Sequence, residues 1–161
     1  MSLTFPLGHS RATMHPALIA GLGELLLTSI HHGYGAIIYT APFRWQVVIV
    51  SAIVAAVVIG LALVAQAHRG GLLGRVAFWL DAVVIAGFPI LTIGFIEGGY
   101  NHVVKNIVHL MGNATLYAQM FPEGMYEAPG DWFFELTGIA QFPVAVAALW
   151  LGLAALRGRV R

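Results

Sequence analysis

The feature that most constrains this chain is a set of four apolar segments, each long enough to cross a lipid bilayer as a helix. A helix that rises 1.5 Å per residue needs about 20 apolar residues to cross the hydrocarbon core. The sequence therefore predicts an all-α integral membrane protein built on a four-helix bundle with four transmembrane helices. The predicted spans cover residues 16–41, 45–67, 76–97 and 132–156.

The composition supports a protein whose solvent is largely lipid. Apolar residues make up 59% of the 161 residues and charged residues only 9%, whereas a soluble domain carries about 25% charged residues. A net charge of +1 offers no basic surface for nucleic acid. The chain has no cysteine, which excludes disulfides, thiol catalysis and thiolate-bound clusters. We therefore expect a single transmembrane domain over residues 1–161 that has the lipid bilayer as a partner and binds no nucleic acid.

The longest connection, residues 98–131, has a pattern of its own. It opens with Gly98–Gly99, and its first part carries apolar residues at helical spacing up to Gly112–Asn113. This pattern predicts a short external amphipathic helix that ends at Gly112–Asn113. Lys105 and Asn106 are expected on the wet face of that helix.

The distribution of Lys and Arg predicts the orientation in the membrane. With four spans and the N-terminus inside, six of the eight basic residues fall on the cytoplasmic side, which is the asymmetry that cytoplasmic loops show. We therefore expect a multi-pass protein with both termini in the cytoplasm. The six residues are Arg11, Arg69, Arg75, Arg157, Arg159 and Arg161.

Polar residues inside the spans are the functional candidates, because an ionisable group in lipid is costly unless it faces the bundle interior. In the first span Glu24, Thr28, His31 and Gly35 are spaced four, three and four, which places them on one helical face. Histidines and carboxylates from at least three segments also gather toward the predicted outer end of the bundle. These residues are His31, His32, Glu97, His102, His109 and Glu135.

This combination of imidazole and carboxylate indicates a site for a transition metal ion such as copper, zinc or iron. His31 and His102 are the expected imidazole ligands and Glu97 the carboxylate ligand, while Glu135 is either a ligand or an acceptor that orients a ring nitrogen. His32 is a further cofactor-binding candidate. His109 is a further metal candidate, although it lies seven residues from His102, or about 10 Å along a helix axis.

Other functions fit parts of the same pattern. His31 with Gly33 and Gly35 meets half of the requirement for a haem b site, which needs a second axial histidine. A proton relay or quinone site built on the intramembrane carboxylates is a further alternative. The main alternative is a non-catalytic accessory subunit of a larger membrane complex, in which the polar residues only fix the helix register. The sequence names no catalytic residue and no specific reaction.

Overall fold

The computed structural model describes residues 15–122 and 127–160, with the side chains of residue 15 and of 158–160 left aside. This part of the chain consists of helices and short connections, without a strand, so the all-α class is confirmed. Arg11 and Arg161, which enter the orientation prediction, lie outside the described residues, as does the side chain of Arg159. The elements are α1 (His15–Ile38), a 3₁₀ turn (Pro42–Arg44), α2 (Trp45–Ala67), α3 (Leu72–Ile85), a π-helix (Ala86–Val104), α4 (Lys105–Leu110), α5 (Ala114–Met120) and α6 (Trp132–Val160).

Three helices in the described part are long and apolar enough to cross a membrane. They cover Pro42–Ala67, Leu72–Leu110 and Trp132–Arg157. The 24 residues of α1 also have the length of a span. However, Glu24, His31 and His32 lower its hydropathy, which explains why α1 is not among the three.

The helix that carries the third predicted span continues beyond residue 97. The α3 helix, the π-helix and α4 follow one another without a break through Gly98–Gly99, so the predicted external helix is not separated from this span by a turn. A Cβ atom at Gly98 would lie 2.7 Å from the backbone nitrogen of Phe142. The glycine therefore permits a close approach of α6 and does not act as a helix breaker. The helix ends at Leu110, and Gly112 follows with a positive φ of 70°, in agreement with the predicted stop.

The π-helix changes which residues share a face. In an α-helix, residues five apart point about 140° away from one another. In a π-helix the backbone bonds run from residue i to i+5, so residues five apart lie on neighbouring turns of nearly the same face. Glu97 and His102 are five apart and both lie within this segment. On an α-helix this spacing would place the two side chains on different faces. In the π-helix it allows both to contribute to one ligand set.

The helices pack around α6. The π-helix and α1 both pack against α6, whereas α2 packs against α1 and α3 at the periphery of the bundle. Of the residues of α2, only Ser51 and Val58 are buried. Ala145 of α6 is fully buried, and it lies so close to Gly94 that any side chain at this glycine would overlap with it. This close contact between α6 and the π-helix sets the position of the histidine-bearing faces.

Candidate metal centre

Three histidines surround one carboxylate oxygen at the end of the bundle where α6 begins. The Nε2 atoms of His31 and His32 each lie 3.7 Å from Glu97 Oε1, and that of His102 lies 3.6 Å from it. These distances are too long for hydrogen bonds. Ligand atoms around a tetrahedral ion with bonds of about 2.0–2.1 Å are separated by about 3.4 Å. The three Nε2–Oε1 distances are therefore within a few tenths of an ångström of those in a ligand shell.

The innermost group consists of His31, Glu97 and His102. One ligand atom from each of these residues lies within 4.8 Å of the others. The ring of His32 stands edge-on to that of His31, with centroids 5.1 Å apart, so His32 flanks the group. The residues come from α1 and the π-helix, and the side chains that hold them come from α6.

His31 is held in one tautomer. Its Nδ1 lies 3.1 Å from the Phe134 carbonyl oxygen and 3.1 Å from Thr137 Oγ1. Because a carbonyl oxygen only accepts, Nδ1 carries the proton and donates it, and Nε2 keeps a free lone pair. That Nε2 is buried and has no hydrogen-bond partner among the described residues. The ring also stacks on Phe134, with centroids 4.1 Å apart, so its orientation is fixed from two directions.

His102 is oriented in the same way by a carboxylate. Its Nδ1 lies 2.9 Å from Glu135 Oε2. The carboxylate accepts a hydrogen bond from Nδ1–H, so in the neutral ring Nε2 presents its lone pair toward Glu97. A carboxylate behind a ligating histidine is a common arrangement in metal sites, where it fixes the ring and raises its basicity. Of the two roles expected for Glu135, the structure gives it the position of the orienting acceptor.

A small charge network supports Glu135. Lys105 Nζ donates to Glu135 Oε1 over 3.0 Å and to the Glu127 carbonyl oxygen over 3.1 Å. Asn106 Nδ2 donates to Glu135 Oε2 over 2.6 Å. Lys105 is only 2% exposed, so its expected place on a wet face is wrong. It is buried because its ammonium group has a carboxylate partner on α6, which the pattern of its own helix does not reveal.

The Glu97 carboxylate is aimed by a neighbour on its own helix. Asn101 Nδ2 donates to Glu97 Oε2 over 3.0 Å, which leaves Oε1 directed at the three imidazoles. The Glu97 side chain is 21% exposed, whereas those of His31 and His102 are buried. The carboxylate thus lies on the side from which an ion reaches the imidazoles.

Aromatic and cationic residues cover the α1 side of the centre. The Arg44 guanidinium lies 5.0 Å from the centroid of the Phe134 ring and pairs with Glu127. The Tyr39 ring also packs against Phe134, with centroids 5.0 Å apart. These contacts exclude water from the face of His31 that is turned away from Glu97.

The structure does not bring His109 to the centre. Its side chain is exposed, and its ring packs against Tyr117 of α5 with centroids 5.5 Å apart. Conversely, no pattern in the sequence selects Lys105, Asn106 or Thr137 as part of the site. The nearest signal is that Lys105 and Asn106 follow His102 by about one helical turn.

Comparison with protein-family models, with curated proteins and with solved structures finds no match to this chain. The function is therefore inferred from the chemistry of the site. Two imidazoles that direct Nε2 at one carboxylate oxygen form, in their neutral state, a donor set of the borderline type, which suits zinc, copper or iron.

Proposed function

We propose that this chain is an integral membrane protein that binds one transition metal ion through His31, Glu97 and His102. The observation that carries the proposal is the convergence of both Nε2 atoms on Glu97 Oε1, while an acceptor at each Nδ1 leaves Nε2 as the nitrogen that the neutral ring offers to an ion. Glu135 orients His102 and does not bind the ion. His32, whose Nε2 also lies 3.7 Å from Glu97 Oε1, supplies the fourth ligand.

The spacing of the rings favours a bare ion over haem b. The ring centroids of His31 and His102 are 4.6 Å apart, and their Nε2 atoms face the same carboxylate oxygen. A haem requires its axial ligands on opposite faces of a macrocycle, and this convergence leaves no gap between the rings for one. Copper or iron would let the centre carry electrons in a redox assembly, whereas zinc would not.

We also propose that α1 is a fourth span, although it is less apolar than the other three. Its polar residues Glu24, Thr28 and His31 are fully buried inside the bundle. The exposed part of α1 carries large apolar side chains such as Leu26 and Ile37. A helix that buries its polar face against neighbours and presents an apolar face outward is stable in a bilayer. With four spans, both termini are cytoplasmic.

Elemental analysis of protein purified in detergent tests the metal proposal. We expect about one equivalent of copper, zinc or iron per chain, and loss of this metal in His31→Ala and in His102→Ala. His109→Ala is the matched control, since its exposed ring lies outside the centre. Metal-free wild-type protein that also fails to bind added copper, zinc and iron contradicts the proposal, as does equal metal loss in the control.

Single cysteines test the topology without background, because the chain has none. Ala67 and Ala114 are exposed residues on opposite sides of the predicted third span. In intact cells a membrane-impermeant thiol reagent should label Ala114→Cys and leave Ala67→Cys unlabelled until the cells are opened. The reverse pattern would show the opposite orientation, and equal labelling would contradict an odd number of spans between the two sites.

A second candidate function, an accessory subunit of a larger membrane complex, is favoured by α2. This helix contributes only Ser51 and Val58 to the interior and presents its remaining apolar surface outward. Such a surface fits another membrane subunit as well as it fits lipid. Recovery of the chain in a larger complex after purification in mild detergent supports this function, and recovery as a monomer contradicts it.

A further inference from the structure

Beneath the metal centre lies a group of buried polar side chains that the proposed metal site does not use. Glu24 and Thr28 of α1 and Gln141 of α6 are fully buried. The carboxyl oxygens of Glu24, the Thr28 hydroxyl and both amide atoms of Gln141 have no hydrogen-bond partner among the described residues. Each such buried atom lowers the stability of the fold by about 1–3 kcal/mol when it makes no hydrogen bond to protein or water. Their polar partner therefore comes from outside the described residues.

The register between α1 and α6 places these side chains together. Near one end of the pair, a Cβ atom at Gly35 would lie 2.6 Å from the Phe134 ring. Near the other end, a Cβ atom at Gly152 would lie 3.9 Å from Ala17. The two helices thus run antiparallel, and moving down α1 corresponds to moving forward along α6.

In this register Thr28 lies opposite Gln141, and Glu24 lies opposite Ala145. Thr28 and Glu24 share a face with His31 and precede it by three and seven residues, or roughly 4.5 Å and 10.5 Å along the axis. Thr28 and Gln141 therefore form one polar layer directly below His31. Glu24 forms the next layer, at the level of Ala145.

The polar group ends at Glu24. One turn further down α1, the position of Gly21 is surrounded by Ile85 and Pro89, whose side-chain atoms would lie 3.5–3.9 Å from a Cβ at the glycine. This contact is apolar, so Glu24 is the last unpartnered polar side chain on this face of α1 in the described residues. A second buried carboxyl group, that of Asp81, lies on α3 one turn before Ile85.

We propose that ordered water fills the space between these side chains and connects Glu24 with the histidine cluster as a proton pathway. Buried water typically makes about three hydrogen bonds to polar groups that lack other partners, and Glu24, Thr28 and Gln141 supply such groups. An ionised Glu24 with no cation beside it is costly, so its carboxyl group is neutral. Glu24 releases its single proton to the first water toward the histidines and is reprotonated through the same chain, and the Thr28 hydroxyl donates and accepts along it. The pathway deepens the proposed function, because Glu24 would store one proton for the metal centre.

Infrared spectroscopy of the detergent-solubilised full chain tests the pathway. The C=O stretching band of a protonated carboxyl group shifts when its proton is replaced by deuterium, and the band that disappears in Glu24→Gln belongs to this residue. We expect the wild-type Glu24 band to shift promptly after transfer to D₂O. Asp81→Asn is the matched control, because it removes a different buried carboxyl group and should leave the Glu24 band in place.

Variants that remove the polar atoms should block the exchange. We expect Thr28→Val combined with Gln141→Leu to slow deuteration of the Glu24 band by about tenfold or more. Thr28→Ser keeps the hydroxyl group and should exchange as fast as the wild type. If the double variant does not fold by circular dichroism, the single Thr28→Val variant is compared with Thr28→Ser in the same assay.

The results separate the pathway from the metal site. A wild-type Glu24 band that fails to exchange, or one that exchanges equally fast in the valine and leucine variants, overturns the pathway. Absence of a protonated Glu24 band also overturns it. Metal content is measured in the same samples and decides the metal proposal alone, since we expect all variants of Glu24, Thr28 and Gln141 to keep their metal.

Discussion

Gly138→Ala is the sharpest single test of the metal centre, because it changes no ligand. Gly138 lies on α6 directly behind the His102 ring. A Cβ atom at this position would overlap with Cγ and Nδ1 of the ring and lie 2.5 Å from Cδ2, whereas ordinary contacts begin near 3.4 Å. The methyl group therefore requires the imidazole to move by about 1 Å.

This shift is large compared with what a metal site tolerates. Metal–ligand distances are held to within about 0.2 Å of their preferred values. The same shift moves Nδ1, which lies 2.9 Å from Glu135 Oε2, out of its hydrogen bond. Loss of such an orienting contact typically lowers metal affinity by about 10–100-fold. We expect Gly138→Ala to fall at the upper end of this range, because both nitrogens of His102 are displaced together.

The assay is a titration of metal-free protein with zinc or copper against a chelator of known affinity. Gly60→Ala is the matched control, since nothing lies within 4 Å of a Cβ at this α2 position. The control should bind metal like the wild type. Wild-type affinity in Gly138→Ala would refute the assignment of His102 as a ligand, and an equal loss in both variants would show a general effect of the substitution.

Three further predictions concern the same centre. Glu135→Gln should destabilise the protein by about 3–5 kcal/mol in chemical unfolding, because it leaves the buried Lys105 ammonium without its carboxylate. Adding Lys105→Met should recover much of this loss of stability. The absence of any recovery would argue against the Lys105–Glu135 ion pair. His32→Ala should weaken metal binding less than His31→Ala in the same titration, because His32 flanks the group; a larger effect of His32→Ala would reverse their roles. Chelation of the metal should lower the unfolding free energy by about 2.7 kcal/mol when free metal stands at about 100 times its Kd, and an unchanged thermal midpoint would contradict a site that the folded state alone provides.

Hydrophobic length and polar periodicity anticipated much of this structure. Runs of apolar residues indicated membrane-length helices, and three of them have that length and composition in the described part. The four-three-four spacing of Glu24, Thr28, His31 and Gly35 indicated an interior face, and the first three are fully buried. The structure also brings together His31, Glu97 and His102, which the sequence selected by residue type and predicted depth.

The remaining features depend on contacts between distant segments. A period of 3.6 residues cannot place Glu97 and His102 on one face, because the π-helix that does so is not visible as a pattern in the sequence. Gly98–Gly99 resembles a helix stop, yet the pair lies within a helix because α6 needs the space. The local sequence predicts a solvated Lys105. In the structure it pairs with Glu135, which lies 30 positions further along the chain.

The unbroken helix that carries Glu97, His102, Lys105 and Asn106 has a consequence for how the chain can change in length. These residues act through α1 and α6, so one residue inserted or deleted between positions 97 and 106 would rotate part of the set away from its partners. A length change in the connection at residues 68–71 differs in kind, because this turn joins α2 to α3 and lies outside the elements that carry these residues. Alterations of chain length should therefore be harmful inside the long helix and tolerated at that turn.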